Sequence, residues 1–158
     1  MLLRPIHPLD AEPLRAGFEL LDPEEVRMRF LHPMRELTPE MAHRLTHLDP
    51  AREFALVVAE PLPPGQALVG AVAREAVDQD RREAEFAILV SRYLSGQGLG
   101  VHLMRKLVRW AQLKRLDAIY GNALYGNTRM LELAASLGFD RERVRDDPGM
   151  VRVRKQLR

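Results

Sequence analysis

Cysteine is absent from the 158 residues, which removes disulfide staples, thiol nucleophiles, Cys-ligated zinc and iron–sulfur clusters from consideration. A metal would need His and carboxylates. His43 and His47 lie four apart on a predicted helix, but Arg44 stands where the zinc-protease pattern has Glu, so they read as surface or packing side chains and no metal is expected. Long apolar runs are missing too. No stretch approaches the roughly 20 residues needed to cross a bilayer, and Met1 to Asp10 lacks a signal peptide's apolar segment, so a cytoplasmic protein with no membrane partner is expected. Charge of one sign is equally scarce: 24 Lys and Arg stand against 22 Asp and Glu, a net +2, too little for an electrostatic footprint on nucleic acid. Lysine occurs only at Lys106, Lys114 and Lys155, and asparagine only at Asn122 and Asn127.

What remains is ordinary in composition, 46% apolar and 29% charged, and its length suits one packed domain spanning 1–158. Leu2 to Ile6 reads as a short strand. Asp10 then precedes Ala11 to Leu21, where Leu14, Phe18 and Leu21 recur at helical spacing, so a helix capped by Asp10 is predicted. Asp22-Pro23-Glu24-Glu25 and Thr38-Pro39-Glu40 each place a capping side chain before proline and acid, marking two further helix starts. Phe54 to Ala59 and Ala67 to Ala76 are β-rich runs separated by a turn, and Glu83 to Val90 alternates Glu85, Ala87 and Leu89 against Phe86, Ile88 and Val90. A three-strand antiparallel meander follows from that. Beyond a glycine-rich turn come a helix from about Leu99 to Lys114, a strand from Ala118 to Ala123, a helix from Thr128 to Leu137 ending at Gly138, and two last strands around Asp147-Pro148-Gly149. The class is α+β, an antiparallel first half joined to a parallel crossover near Gly96.

Ser95-Gly96-Gln97-Gly98-Leu99-Gly100 follows a strand and opens a helix, where successive backbone N–H groups and the helix dipole can hold a phosphate. It lacks the lysine of a P-loop and lies far from the first strand, where a dinucleotide fold carries its fingerprint. A glycine-rich turn without a ligand fits the spacing as well.

Taken with Glu85-Phe86-Ala87-Ile88-Leu89-Val90 and with Asn127-Thr128-Arg129-Met130 through Leu137-Gly138-Phe139, that segment resembles the GNAT superfamily of acetyl-CoA-dependent N-acetyltransferases. Arg27 to Leu31, Arg44-Leu45-Thr46 and Gly70 to Arg74 extend the likeness to the acetyltransferase domain of bacterial Pat-type protein lysine acetyltransferases. The resemblance implies a mixed sheet of about six to seven strands with helices on both faces. It also implies acetyl-CoA as co-substrate, held by the backbone of Ile88, Leu89 and Val90, by Ser95, Gly96, Gln97, Gly98, Leu99, Gly100 and Val101, and by Asn127. Ser95 stands where the family usually has Gln or Arg. An acid in the strand of Glu85 acts as general base in that family, which makes Glu85 the expected catalytic residue and Glu83, on the same face, the reserve. The plainer reading, in which Glu85 faces solvent or pairs with Arg74, stays open, as does a simple capping role for Asn127. Ala134 occupies the position where many members have a Tyr acid for the departing thiolate.

The implied reaction is acetyl transfer to a primary amine, foremost a lysine of a protein substrate such as an acyl-CoA synthetase. A small amine or protein N-terminus is the alternative acceptor, and a non-catalytic CoA-binding regulatory module is the alternative class. The helices around Arg27, Arg29, Arg35 and Arg44 would border the acceptor groove.

Overall fold

The computed structural model describes residues 1–31, 34–78, 80–91, 94 and 98–158, so Ser95, Gly96 and Gln97 of the glycine segment lie outside the described residues. Seven strands form one sheet in the order β1-β2-β3-β4-β5-β7-β6. They are β1 (Leu2–Pro5), β2 (Glu53–Ala59), β3 (Val69–Asp78), β4 (Glu83–Val90), β5 (Ala118–Leu124), β6 (Asp140–Arg143) and β7 (Met150–Gln156). Their pairings are antiparallel except β4 with β5, which run parallel. The α+β class, the meander and the crossover are thus as the sequence pattern predicts.

Helices cover both faces. On one side α4 (Leu99–Leu113) and α5 (Thr128–Ser136) bury Leu103, Met104, Leu107, Ala111, Leu131 and Ala134 against Ala71, Ala73, Ala84, Phe86 and Ile119 of the sheet. Leu103, Met104 and Leu107 are fully buried, each contributing about 1.5–3 kcal/mol. On the other side α1 (Ala11–Glu19), α2 (Pro23–Phe30) and α3 (Pro39–Thr46) close a smaller core of Phe18, Val26, Leu37 and Ala42. None of the described helices is long and apolar enough to cross a membrane.

Local chemistry explains most of the boundaries. Asp22 accepts from the Glu25 N–H at 2.8 Å while Glu25 accepts from the Asp22 N–H at 3.2 Å, a reciprocal cap that starts α2. Thr38 caps α3 through the Met41 N–H at 3.2 Å. Gly138 ends α5 at φ 85°. Asp10 departs from its predicted role: it stands before α1 but makes no side-chain cap there. Its fully buried carboxylate instead takes two 2.8 Å hydrogen bonds from Arg4 of β1 and one of 2.8 Å from the His7 N–H. Burial alone would push that carboxyl up, yet Arg4 and the His7 N–H together hold it below the usual carboxylate range. A buried charge finds its strongest compensation in a guanidinium fork, and the short helix does without its cap.

The feature that shapes the site is a divergence in the middle of the sheet. β4 and β5 pair only at Glu83 with Ala118, Ala84 with Ile119 and Glu85 with Tyr120. Past Glu85, β4 stays with β3 to Val90 while β5 stays with β7 to Leu124. Phe86 sits in the fork. A Cβ on Gly121 would lie 2.6 Å from its ring, and the ring meets Phe139 edge-on at 5.8 Å. Gly121→Ala is therefore expected to cost about 1–3 kcal/mol by overpacking, read as a lower denaturant midpoint at unchanged slope. An unaffected midpoint would mean that the ring is not locked in the fork.

Candidate active site

Because β5 leaves it, the stretch Phe86 to Val90 of β4 has no paired strand on its β5 side among the described residues. That open edge lines a cleft of about 480 Å³ together with Gly98, Leu99, Gly100 and Val101 at the start of α4 and Asn127, Met130 and Leu133 at the start of α5. Gly98 precedes α4 at φ 72° with no side-chain cap, so the first N–H groups of a 15-residue helix face the cleft end without an internal partner. A Cβ on Gly98 would meet nothing within 4 Å, whereas one on Gly100 would touch Leu133 at 3.3 Å. The two glycines therefore do different things. Gly98 leaves the helix start open, and Gly100 lets α5 pack close. Asn127 lines the cleft and also caps α5, accepting from the Met130 N–H at 3.2 Å.

A second cavity, of about 390 Å³, lies on the sheet face opposite α4 and is lined by Arg29, Arg74, Asp78, Glu85, Ala87 and Tyr120. A narrow space of about 30 Å³ between Ala87, Ile88, Gly121, Asn122 and Asn127 lies between it and the cleft. Glu85 is exposed in this cavity and accepts a 3.0 Å hydrogen bond from the Tyr120 hydroxyl, across the last paired position of the fork. Burial, then the charge and hydrogen bond of Glu85, push the Tyr120 hydroxyl up to about 12, so it stays protonated and keeps donating. Arg152 stacks over the Tyr120 ring at 4.8 Å and donates to Asn122 at 3.1 Å.

The two carboxylates on this face are unlike. Glu83 is held by Arg154 through hydrogen bonds of 3.1 and 3.3 Å, which leaves the reserve candidate engaged in an ion pair. Arg74 turns to Glu53 at 3.3 Å and Glu85 to Tyr120, so the Glu85–Arg74 pair considered from the sequence does not form. Ala134, fully buried in the core, supplies no acid.

Sequence reasoning missed Tyr120, 35 residues from Glu85, and Arg152, which β7 brings beside it; both are placed by strand pairing. It also grouped Arg27 with Arg29. Two residues apart on a helix means about 200° of rotation, and the two diverge accordingly: Arg27 is exposed and pairs with Glu24 at 3.3 Å, while Arg29 points inward and lines both the cleft and the Glu85 cavity. His43 and His47 stack at 3.6 Å, and among the described residues no cluster of three or more His, Asp or Glu is arranged to hold a metal. Arg105, Lys106, Arg109, Lys114 and Arg115 are all exposed.

An open strand edge that runs toward an uncapped helix start, on a mixed sheet forked beside a carboxylate, is an acyltransferase architecture, and the comparison with known proteins agrees. Residues 1–140 match the family described as Acetyltransferase (GNAT) domain, and the chain belongs to it. It is 28% identical over 151 residues to Acetyltransferase PA5475 of Pseudomonas aeruginosa, covering 96% of this chain and 81% of that protein. The GNAT domain of S. lividans PAT superposes with a TM-score of 0.83 at 25% identity, covering 98% of this chain and 89% of that one. Spermidine N-acetyltransferase from Vibrio cholerae, solved with CoA and spermine, shares the fold at a TM-score of 0.74 and 17% identity, covering 99% and 95%.

Proposed function

We propose that this acetyltransferase moves the acetyl group of acetyl-CoA to a primary amine, foremost a protein lysine side chain, with Glu85 as general base, as a single catalytic domain acting in the cytoplasm. The observation that carries the reading is the pair of cavities on either side of the fork, one suited to an extended chain ending in a phosphate and the other presenting a carboxylate.

The residues fit the co-substrate. The pantetheine arm can lie along Ile88, Leu89 and Val90 as an added strand, satisfying backbone groups that β5 leaves open. The pyrophosphate belongs at Gly98, Leu99, Gly100 and Val101, where uncapped N–H groups and the helix dipole favour an anion. The thioester supplies an activated acetyl carbon. The acceptor arrives as ammonium, since an unperturbed lysine has a pKa near 10.4, and Glu85 takes its proton. The amine lone pair then forms the C–N bond, the C–S electron pair leaves with sulfur, and the net products are an N-acetyl amine, the CoA thiol and one proton. Tyr120 holds Glu85 in place through its hydrogen bond and, staying protonated, does not compete as a base. Glu85 lies next to strand positions fixed on both sides, to Ala76 and to Tyr120, so the base is positioned by the sheet itself.

Gly98 offers a test of the binding half. Valine is strained at φ 72°, so Gly98→Asn, whose side chain tolerates the left-handed region, places atoms in the open space with little backbone cost. Calorimetry should show acetyl-CoA affinity falling tenfold or more with thermal stability changed by only a few degrees. Unchanged affinity would remove Gly98 from the site. The function as a whole is tested by incubation with acetyl-CoA and a panel of acyl-CoA synthetases, lysine peptides and polyamines, with acetylated positions located by mass spectrometry. Acetylated lysines with stoichiometric thiol release are expected. A protein that binds acetyl-CoA and acetylates nothing in the panel would be the regulatory module instead.

A further inference from the structure

Arg29 stands out among the charged groups of the two cavities. Among the described residues its guanidinium has no carboxylate or hydrogen-bond partner; its contact is the face of Phe30, 4.5 Å from the ring centroid. The carboxylates nearest in the chain are engaged elsewhere, Glu24 with Arg27 and Glu25 with the α2 start. Arg74, the other cation of the cavity, adds repulsion and already has Glu53. Burial, then Arg74, pull the Arg29 guanidinium down to about 10, which still leaves it charged at neutral pH. A half-buried, unpaired cation beside a like charge is costly. It is also well placed, since Arg29 shares a cavity wall with Glu85, Asp78 and Tyr120.

A cavity that offers carboxylates to an ammonium and a vacant guanidinium fork to something else is complementary to a substrate with both charges. We propose that Arg29 binds a carboxylate carried by the acceptor itself, so that the preferred amine has a carboxylate within the same cavity, as in a lysine flanked by an acidic residue, rather than being a purely cationic amine. This rests on the proposed acetyl transfer and narrows its acceptor. Planar two-point contact with a carboxylate is the interaction for which Arg is suited and Lys is not. The selectivity comes from Arg29 inside the cavity and not from the exposed Arg27, Arg35 and Arg44.

The test compares four acceptors under acetyl-CoA saturation: a Lys–Glu peptide with its C-terminus amidated, its Lys–Gln counterpart, spermidine, and a Lys–Gln peptide with a free C-terminus, which asks whether the chain end can supply the carboxylate. For the wild type, kcat/KM for the Lys–Glu peptide should exceed that for Lys–Gln at least tenfold. In Arg29→Met that ratio should fall to about one, chiefly through acceptor KM, and Arg29→Lys should recover part of the ratio. A wild-type ratio of one overturns the inference. So does an equal loss of kcat for every amine in both variants, which would assign Arg29 to the charge developing on the thioester oxygen. Calorimetric titration of the same peptides separates this from the activity: selective binding of Lys–Glu without turnover supports Arg29 as the carboxylate site while removing the acetyl-transfer reading, and equal binding of both peptides overturns the carboxylate site.

Discussion

Glu85→Gln should lower turnover by roughly 10²-fold or more while leaving acetyl-CoA affinity unchanged, because the amide keeps the size of the side chain and can still accept from Tyr120 but cannot take a proton. The limb of the pH–rate profile that reports the enzyme's base should disappear with it. Glu83 cannot take over, since Arg154 holds it with two hydrogen bonds and removing its charge would strand that guanidinium. The role is therefore not shared between two acids two residues apart. Steady-state kinetics at several pH values decides the matter, and near wild-type turnover with an intact limb would mean that bulk water deprotonates the amine.

The second large effect concerns stability. Glu75 on β3 is 1% exposed, on the α4 side of the sheet, and among the described residues neither carboxylate oxygen has a hydrogen-bond partner. Its register partners are Phe54 and Phe86, and Phe54 stacks on Trp110 of α4 at 5.6 Å, so the surroundings are apolar. Burial pushes this carboxyl up to about 9, which keeps it protonated at neutral pH. An acid whose folded-state pKa is raised binds more protons in the native than in the unfolded state. Its contribution is full below the ordinary carboxylate range and is lost as pH rises toward 9, at up to about 1.4 kcal/mol per pH unit. The protein should thus be markedly less stable at pH 9 than at pH 6. Glu75→Met, of similar length and without the acid, should flatten that dependence and raise stability at pH 9 by several kcal/mol. Denaturant titrations at the two pH values measure both, and parallel curves for variant and wild type would show that Glu75 is already charged or compensated.

The contrast between Glu75 and Glu85 shows where sequence pattern was informative. Both are acids within apolar strands. Alternation along Glu83 to Val90 correctly puts Glu85 on the face away from Phe86, and the order of strands, glycine turn and helices yields the mixed sheet, because periodicity is a local property. The caps of Asp22 and Thr38 are legible for the same reason, their partners being three residues away. Asp10 is not, since the side chain that claims it comes from a strand whose position depends on pairing with β2. The fork between β4 and β5 is likewise a tertiary event, with the Phe86 ring packed on Gly121, 35 residues distant. What Glu85 hydrogen-bonds to follows from the pairing of β4 with β5 at Glu85 and Tyr120, and no local pattern shows it. The glycine turn and the acid were readable one at a time, and the two cavities on either side of the fork were not.

The central claim is that the forked edge of β4 receives acetyl-CoA so that its thioester meets an amine beside Glu85. A crystal structure of the acetyl-CoA complex tests this most directly. The pantetheine arm is expected to pair with Ile88 to Val90, the pyrophosphate to sit on the N–H groups at the start of α4, and the thioester to lie at the opening toward the Glu85 cavity. Acetyl-CoA bound away from the fork, or with its thioester closed off from Glu85, would contradict it.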